Sequence, residues 1–459
     1  MMQEWFKDAR FGISLHWGIY AVNGTTESWA FFNGDVSYEE YMSQLNGFTA
    51  SKYDPKAWAE LFVKAGAKYA VLTTKHHDGL ALWDTKVSDF SVVHQTPAKR
   101  DLVGPFCEAV REAGLKVGLY FSHLDWTEPT YRSVYGNPAI KTRQEYIDHL
   151  NQQNADKFSW QAEQDIRPYN IPANGDEDKE TWEKFKAFHR AQLTELATNY
   201  GKIDMWTFDG HWERTAEQWG AEDLNVMLRR FNPEVIMNNR LHNYGDYDQP
   251  EQAIPITPPD RDWECWFCVN ESWGYRPIDQ KYKSTRQIIK MFADCMGMGG
   301  NVMINVAPLE DGTIDPVQEQ RLLEFGEWMI PNSEAVYGTT PGLPIGLFNG
   351  ASTLSKDRKT LYLFYFDRPL EAIPVKGIFN DIKRISILKT GKELTHKKIG
   401  GMDVWNTTGI YWIDLPDEDV DSMATVIKIE LDGELRLYNG SSDIQVDNRW
   451  KNAASSKGM

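Results

Sequence analysis

The run Lys202-Ile203-Asp204-Met205-Trp206-Thr207-Phe208-Asp209-Gly210-His211-Trp212-Glu213 is an apolar, strand-like stretch that stops at a carboxylate, a glycine and an aromatic ring. Presenting an acid at the tip of a buried strand is costly unless the acid is used. In parallel α/β barrels the C-terminal strand tips are where reacting groups stand. Other strand-like runs end in the same way. They reach His16-Trp17-Gly18, Lys75-His76-His77-Asp78-Gly79, Ser122-His123-Leu124-Asp125-Trp126 and Asn238-Asn239-Arg240. The last is followed by Gly245-Asp246-Tyr247-Asp248-Gln249-Pro250-Glu251, and a sixth run carries Glu264 with Trp273-Gly274-Tyr275 after it. Several imidazoles, an arginine, tryptophan rings and at least two carboxylates at one barrel mouth describe a site for a neutral polyhydroxylated substrate. Glycoside cleavage uses one carboxylate as nucleophile and one carboxylic acid on the leaving-group side.

Each of these residues also has a plainer reading. His76-His77 with Asp78 resembles a metal pair, but neighbours on a strand point to opposite faces, so both reach one ion only after the strand ends. Hydroxyl recognition and packing are the other two readings. Arg240 can serve as the structural partner of an acid. Glu264, in mid-strand, can be the buried partner of an arginine or histidine. The 18 tryptophans can be core, although a flat apolar face with one N–H donor also suits the C–H face of a pyranose. Cys265 and Cys268 lie inside an aromatic strand without the second pair a zinc ribbon needs, which makes packing their expected role.

The elements that must position these groups are repeated βα units over the first ~335 residues. Strands are expected at Phe11–His16, Tyr69–Thr74, Lys116–Phe121, Lys202–Phe208, Glu234–Asn238, Asp262–Phe267 and Val302–Val306. Amphipathic helices are expected at Pro55–Ala67, Leu102–Ala113, Lys179–Asn199, Glu217–Phe231, Ser284–Met296 and Pro316–Met329. The last opens with Asp315 as N-cap and Pro316 in the first helical position. Seven strands can be counted and an eighth cannot, so the expected fold is α/β, a regular or irregular (β/α)8-like barrel. Trp126 to Glu180 reads as a long loop with a helix near Lys141–Lys157. From about Gly342 short β-branched runs (Thr360–Phe366, Arg384–Leu388, Ile410–Leu415, Ala424–Leu431, Leu435–Tyr438) indicate a C-terminal antiparallel β-sandwich with a structural role. The expected division is 1–338 barrel, 342–440 sandwich and 441–459 polar tail.

Charge narrows the partners. Lys plus Arg number 49 against 66 Asp plus Glu, a formal charge of −17. Phosphate binding needs clustered positive charge, so nucleic acid and anionic membranes are not expected partners. No apolar run approaches the ~20 residues of a bilayer span. No signal peptide is visible, which fits a cytoplasmic protein or a periplasmic or secreted one with its leader removed.

Taken together, the motifs resemble glycoside hydrolase family 29, the α-L-fucosidases, over nearly the whole chain. The resemblance runs from Trp5-Phe6-x-Asp8-Ala9-x-Phe11-Gly12-Ile13-x-x-His16-Trp17-Gly18 through Lys75-His76-His77-Asp78-Gly79 and Phe208-Asp209-Gly210. It continues through Asn239-Arg240, Gly245-Asp246-Tyr247 with Pro250-Glu251, and Gly299-Gly300-Asn301 with Asn305 and Pro308. It implies a retaining exo-glycosidase acting on oligo- or polysaccharides, with no metal or other cofactor. By position it implies Asp209 as nucleophile and Glu251 as acid/base, with Glu264 as the alternative acid/base because some members place it further on. His16, Glu27, Trp29, His76, His77, Tyr120, Trp206, Thr207, Arg240 and Trp273 are the implied sugar contacts.

Two departures from the family pattern bear on substrate choice. Ser28 separates Glu27 from Trp29 where many members carry an adjacent pair. Thr207 stands where many carry a tryptophan, next to the displaced Trp206. Thr207 offers room and a hydroxyl for an added C6 hydroxyl, so an exo-α-L-galactosidase is the runner-up expectation. A non-catalytic carbohydrate-binding protein on the same scaffold is the reading of a different class; the presence of both carboxylates argues against it.

Overall fold

The computed structural model describes residues 2–132, 179–401 and 407–438. The expected helix near Lys141–Lys157 and the polar tail lie outside the described residues.

Seven parallel strands form one sheet: β1 (Phe11–Leu15), β2 (Tyr69–Lys75), β3 (Lys116–Ser122), β4 (Met205–Asp209), β5 (Ile236–Met237), β6 (Glu264–Cys268) and β7 (Asn301–Val306), in the order β5-β4-β3-β2-β1-β7-β6. Each strand has two buried faces, as a parallel sheet covered by helices requires. In β4, Trp206 and Phe208 join the large outer core under the helices, whereas Met205 packs in the barrel interior with Tyr69, Val71, Tyr120, Tyr247, Trp266 and Met303. Phe6 and Trp5, from the N-terminal helix Glu4–Ala9, pack against this interior group.

The edge strands β5 and β6 do not pair. The segment after β5 fills the gap as an irregular eighth element. Asp246 N–H donates to Met237 O at 2.6 Å, Asp248 N–H to Asp262 O at 2.9 Å, and Trp266 N–H to Pro250 O at 3.0 Å. Isolated parallel bridges join Asn238 to Tyr247 on one side and Asp248 to Trp263 and Glu251 to Trp266 on the other. Glu251 therefore stands at the C-terminal tip of the closing segment, as Asp209 stands at the tip of β4.

The expected helices form close to their predicted bounds. Pro316–Met329 is capped by the Asp315 carboxylate, which accepts from Val317 and Gln318 N–H. Glu217–Phe231 divides into Ala216–Trp219 and Ala221–Phe231 at Gly220, whose φ of 60° breaks the helix.

Beyond the barrel lie β8 (Thr339–Pro341), β9 (Ala351–Ser355), β10 (Thr360–Tyr365), β11 (Ile373–Val375), β12 (Ile382–Ile387), β13 (His396–Ile399), β14 (Ile410–Ile413) and β15 (Thr425–Leu431). They make an antiparallel five-stranded sheet, β12-β15-β10-β9-β8, and a three-stranded one, β11-β14-β13. Alternation along β10 separates two cores: Leu361 and Leu363 face the smaller sheet's cluster, and Tyr362 and Phe364 face the barrel helices. Trp328 Nε1 donates to Ala424 O at 2.9 Å across that junction. Leu435–Tyr438, expected as a strand, makes only a single bridge, Ile378 to Leu437.

Candidate active site

Nine of the expected residues converge on one cavity of about 110 Å³: His16, Glu27, Trp29, His76, Tyr120, Asp209, Arg240, Glu251 and Trp273. Trp212 and Trp266 complete its wall. The cavity is a pocket on the scale of a single sugar ring, bounded on several sides by aromatic faces.

Asp209 is held from four directions. Arg240 Nη1 donates to Oδ1 at 2.6 Å and Tyr120 Oη to Oδ2 at 2.8 Å. Gly210 N–H donates to Oδ1 at 2.9 Å, and His77 Nε2 lies 3.6 Å from Oδ2. Burial works to raise the Asp209 pKa, but Arg240, His77, Tyr120 and the Gly210 amide together outweigh it and hold the carboxyl below its ordinary value. Glu251 goes the other way. Burial, with the negative charge of Asp209, outweighs Arg240 and pushes it up to about 7. One guanidinium touches both acids, since Arg240 Nη2 also donates to Glu251 Oε1. Two carboxyls whose environments drive their pKa values apart divide into a base and an acid.

The imidazoles are neutral near pH 7. Burial lowers His16 and His77 to about 4 and His76 well below its usual value. His77 does not line the cavity; its Nδ1 sits 2.6 Å from Ser122 Oγ, and the ring backs Asp209. Asp78 is turned from the imidazoles, accepting from Tyr41 Oη at 2.7 Å and Leu80 N–H at 3.0 Å. Glu27 accepts from Gly274 N–H, and burial raises it to about 7.

Besides His77, three expected site residues stand outside the cavity wall. Trp206 points to the outer face of β4, stacked 5.9 Å from Phe208, because one step along a strand reverses the side chain. Thr207 shares the inward face with Asp209 but lies one layer deeper, fully buried against Tyr247 and outside the cavity wall. Thr207 therefore does not supply the room or the hydroxyl that an added C6 hydroxyl would call on. Glu264 opens β6 at the barrel floor, in register with Asn301, the first residue of β7. Its oxygens accept from Tyr69 Oη and Trp266 Nε1, and it is fully buried below the pocket. It is not among the residues that line the cavity.

Two lining residues were missed. Trp266 was legible by parity, two residues beyond the inward-facing Glu264 and so one layer nearer the tip. Trp212 was visible in the run after Asp209, but only the short turn His211–Glu213 brings its ring over the pocket.

A parallel barrel with a one-ring pocket and two carboxyls whose surroundings drive their pKa values apart defines a glycoside hydrolase. The comparisons name the family. The family model described as Alpha-L-fucosidase matches residues 1–334, and the chain belongs to this family. The tissue alpha-L-fucosidase of Mus musculus is 30% identical over 367 residues, covering 74% of this chain and 72% of that protein. Among solved structures, alpha-L-fucosidase isoenzyme 1 from Paenibacillus thiaminolyticus aligns with a TM-score of 0.78 at 31% identity, over 94% of this chain and 98% of that one. An alpha-L-fucosidase from Bacteroides thetaiotaomicron, solved as a trapped covalent intermediate, aligns with a TM-score of 0.76 at 26% identity, over 93% and 95%.

Proposed function

We infer that the protein is a retaining, exo-acting α-L-fucosidase that releases terminal α-L-fucosyl residues from fucosylated oligo- or polysaccharides. The observation that carries this reading is the pairing of Asp209 and Glu251 on one guanidinium, Arg240, in a pocket of one-ring size, in surroundings that drive their pKa values in opposite directions. A pocket, as opposed to a groove, takes a chain end. Asp209 attacks the anomeric carbon while Glu251 gives its proton to the departing glycosidic oxygen, and the C1–O bond is replaced by an ester to Asp209. Glu251, now a carboxylate, takes a proton from water. The water oxygen bonds to C1, and Asp209 leaves as the free carboxylate. Retaining enzymes hold the two carboxyls about 5–5.5 Å apart and inverting ones about 6.5–9.5 Å; here a single guanidinium bridges them.

Trapped-intermediate chemistry in the Bacteroides neighbour supports the double displacement. Names shared across the relatives support L-fucose over L-galactose. Residues 1–338 form the catalytic unit and 342–440 a sandwich that buttresses it. The test is turnover of matched aryl α-L-fucoside and α-L-galactoside, with proton NMR of the first-formed anomer. Release of α-L-fucose with the fucoside strongly preferred is expected; β-L-fucose as first product overturns retention. Equal kcat/KM on the two sugars overturns the fucose assignment.

A further inference from the structure

Ser28, the residue that parts Glu27 from Trp29, occupies the N-cap position of the short helix Trp29–Phe32 but does not cap it. A serine there ordinarily accepts a helix N–H. This one is fully buried and turned toward the pocket wall, with Oγ 2.6 Å from His76 Nδ1. The same oxygen accepts from Asp78 N–H at 2.9 Å. That amide takes one of the two lone pairs, and the hydroxyl keeps a proton to give to an acceptor. The Tyr41 oxygen is the competing one, but only the imidazole nitrogen meets hydrogen-bond geometry with Ser28. The Tyr41 proton is itself directed to Asp78 Oδ2.

His16 is held in the opposite sense. Its Nδ1 lies 2.8 Å from Asn305 Oδ1. The Asn305 amide is oriented by its Nδ2, which donates to Trp273 O at 2.7 Å, and a backbone carbonyl can only accept. His16 Nδ1 must therefore carry its proton, leaving Nε2 bare. The two rings stand 5.8 Å apart on the same cavity wall.

We propose that Ser28 is a positioning residue that holds His76 in the Nε2–H tautomer, so that His76 donates to a sugar hydroxyl beside His16, which accepts from one. The side-by-side donor and acceptor then demand a hydroxyl, a group that does both. The sugar partner rests on the fucosidase reading; the tautomer itself does not. Burial keeps both rings neutral, so tautomer, not charge, sets what each offers.

The test is a long-range proton–nitrogen correlation spectrum of the substrate-free protein labelled with ¹⁵N-histidine at pH 7.5, with His76 assigned by its loss in His76→Gln. The expected His76 signals are a bare Nδ1 and a protonated Nε2. Ser28→Ala should move them toward the Nδ1–H form, and Ser28→Thr should restore them. In kinetics, Ser28→Ala should lower kcat/KM on an aryl α-L-fucoside by about tenfold, one lost hydrogen bond, and cause no further loss in a His76→Gln background. A wild-type His76 carrying its proton on Nδ1 overturns the proposal, as does an undiminished Ser28→Ala loss in that background. If Ser28→Ala does not fold, the wild-type spectrum alone decides. Absence of fucoside turnover with the expected tautomer would instead count against the fucosidase reading.

Discussion

A carboxyl buried among aromatic rings is driven toward its neutral form, and Asp209 escapes only because Arg240, His77, Tyr120 and the Gly210 amide surround it. Asp209→Asn keeps the shape and removes the nucleophile, so kcat should fall at least about 10³-fold; near-normal turnover would refute the assignment. Glu251 must enter the reaction protonated, and its pKa is raised to about 7. The protonated fraction falls as pH rises through that value, so kcat/KM should decline above about pH 7, and Glu251→Gln should lose that limb along with most activity. Glu251→Ala should be rescued by azide on an activated aryl fucoside. Glu264 gives the contrast. Burial raises it from 4.5 to about 7, so the folded state binds its proton more tightly than the unfolded chain. Its contribution to stability is complete below about pH 4.5 and is lost as pH rises through about 7. Glu264→Gln should leave kcat within a few-fold of wild type, match its Tm at pH 4 and exceed it at pH 8. A basic kinetic limb that vanishes in Glu264→Gln, but not in Glu251→Gln, would reverse the two roles.

The acid/base stands on the one barrel element that is not a proper strand. Gly245 is there because a Cβ would lie 2.0 Å from Asn238 O, and Asp246 holds the turn through Arg229 Nη2 at 2.9 and 2.7 Å and Met237 N–H at 2.9 Å. Asp246→Ala should cost about 2 kcal/mol in urea unfolding and lower kcat more than it raises KM, because Glu251 loses its footing while the sugar contacts remain. Unchanged stability would show the ion pair to be incidental. The same element marks where sequence reading stops. β2, β3 and β7 announce themselves as runs of branched and aromatic residues, but Gly245–Glu251 has no such run and is strand-like only through bridges to both neighbours. The strand-tip inventory located Asp209, Arg240 and Glu251 because chemistry at a tip is visible in residue type. Trp206 and Glu264 misled because orientation across the sheet, and depth along it, depend on register. Ser28, Ser122 and Asn305 are ordinary polar residues until the imidazoles they hold are in place.

For the whole molecule, the C-terminal sheets pack on the barrel through Trp328, Phe364 and Val426, while the pocket wall, among the described residues, comes from positions 16–273. The net charge of the surface acts on a charged substrate before it reaches that wall. The formal charge is −17, and the pocket does little to offset it: Arg240 is balanced by Asp209, while Glu27 and Glu251 are raised to about 7. At ~10 mM salt the screening length is about 30 Å, so an incoming anionic glycan meets most of that charge; at 0.15 M it is about 8 Å. Repulsion of this kind slows encounter and is relieved by salt. A fucosylated oligosaccharide carrying sulfate or carboxylate should thus gain several-fold in kcat/KM between ~10 mM and ~0.15 M NaCl, while a neutral aryl fucoside stays within about twofold. The gain should appear in kcat/KM and not in kcat, because it acts before the sugar is seated. Parallel salt responses of the charged and neutral substrates would show that the surface charge has no part in selecting what reaches Asp209.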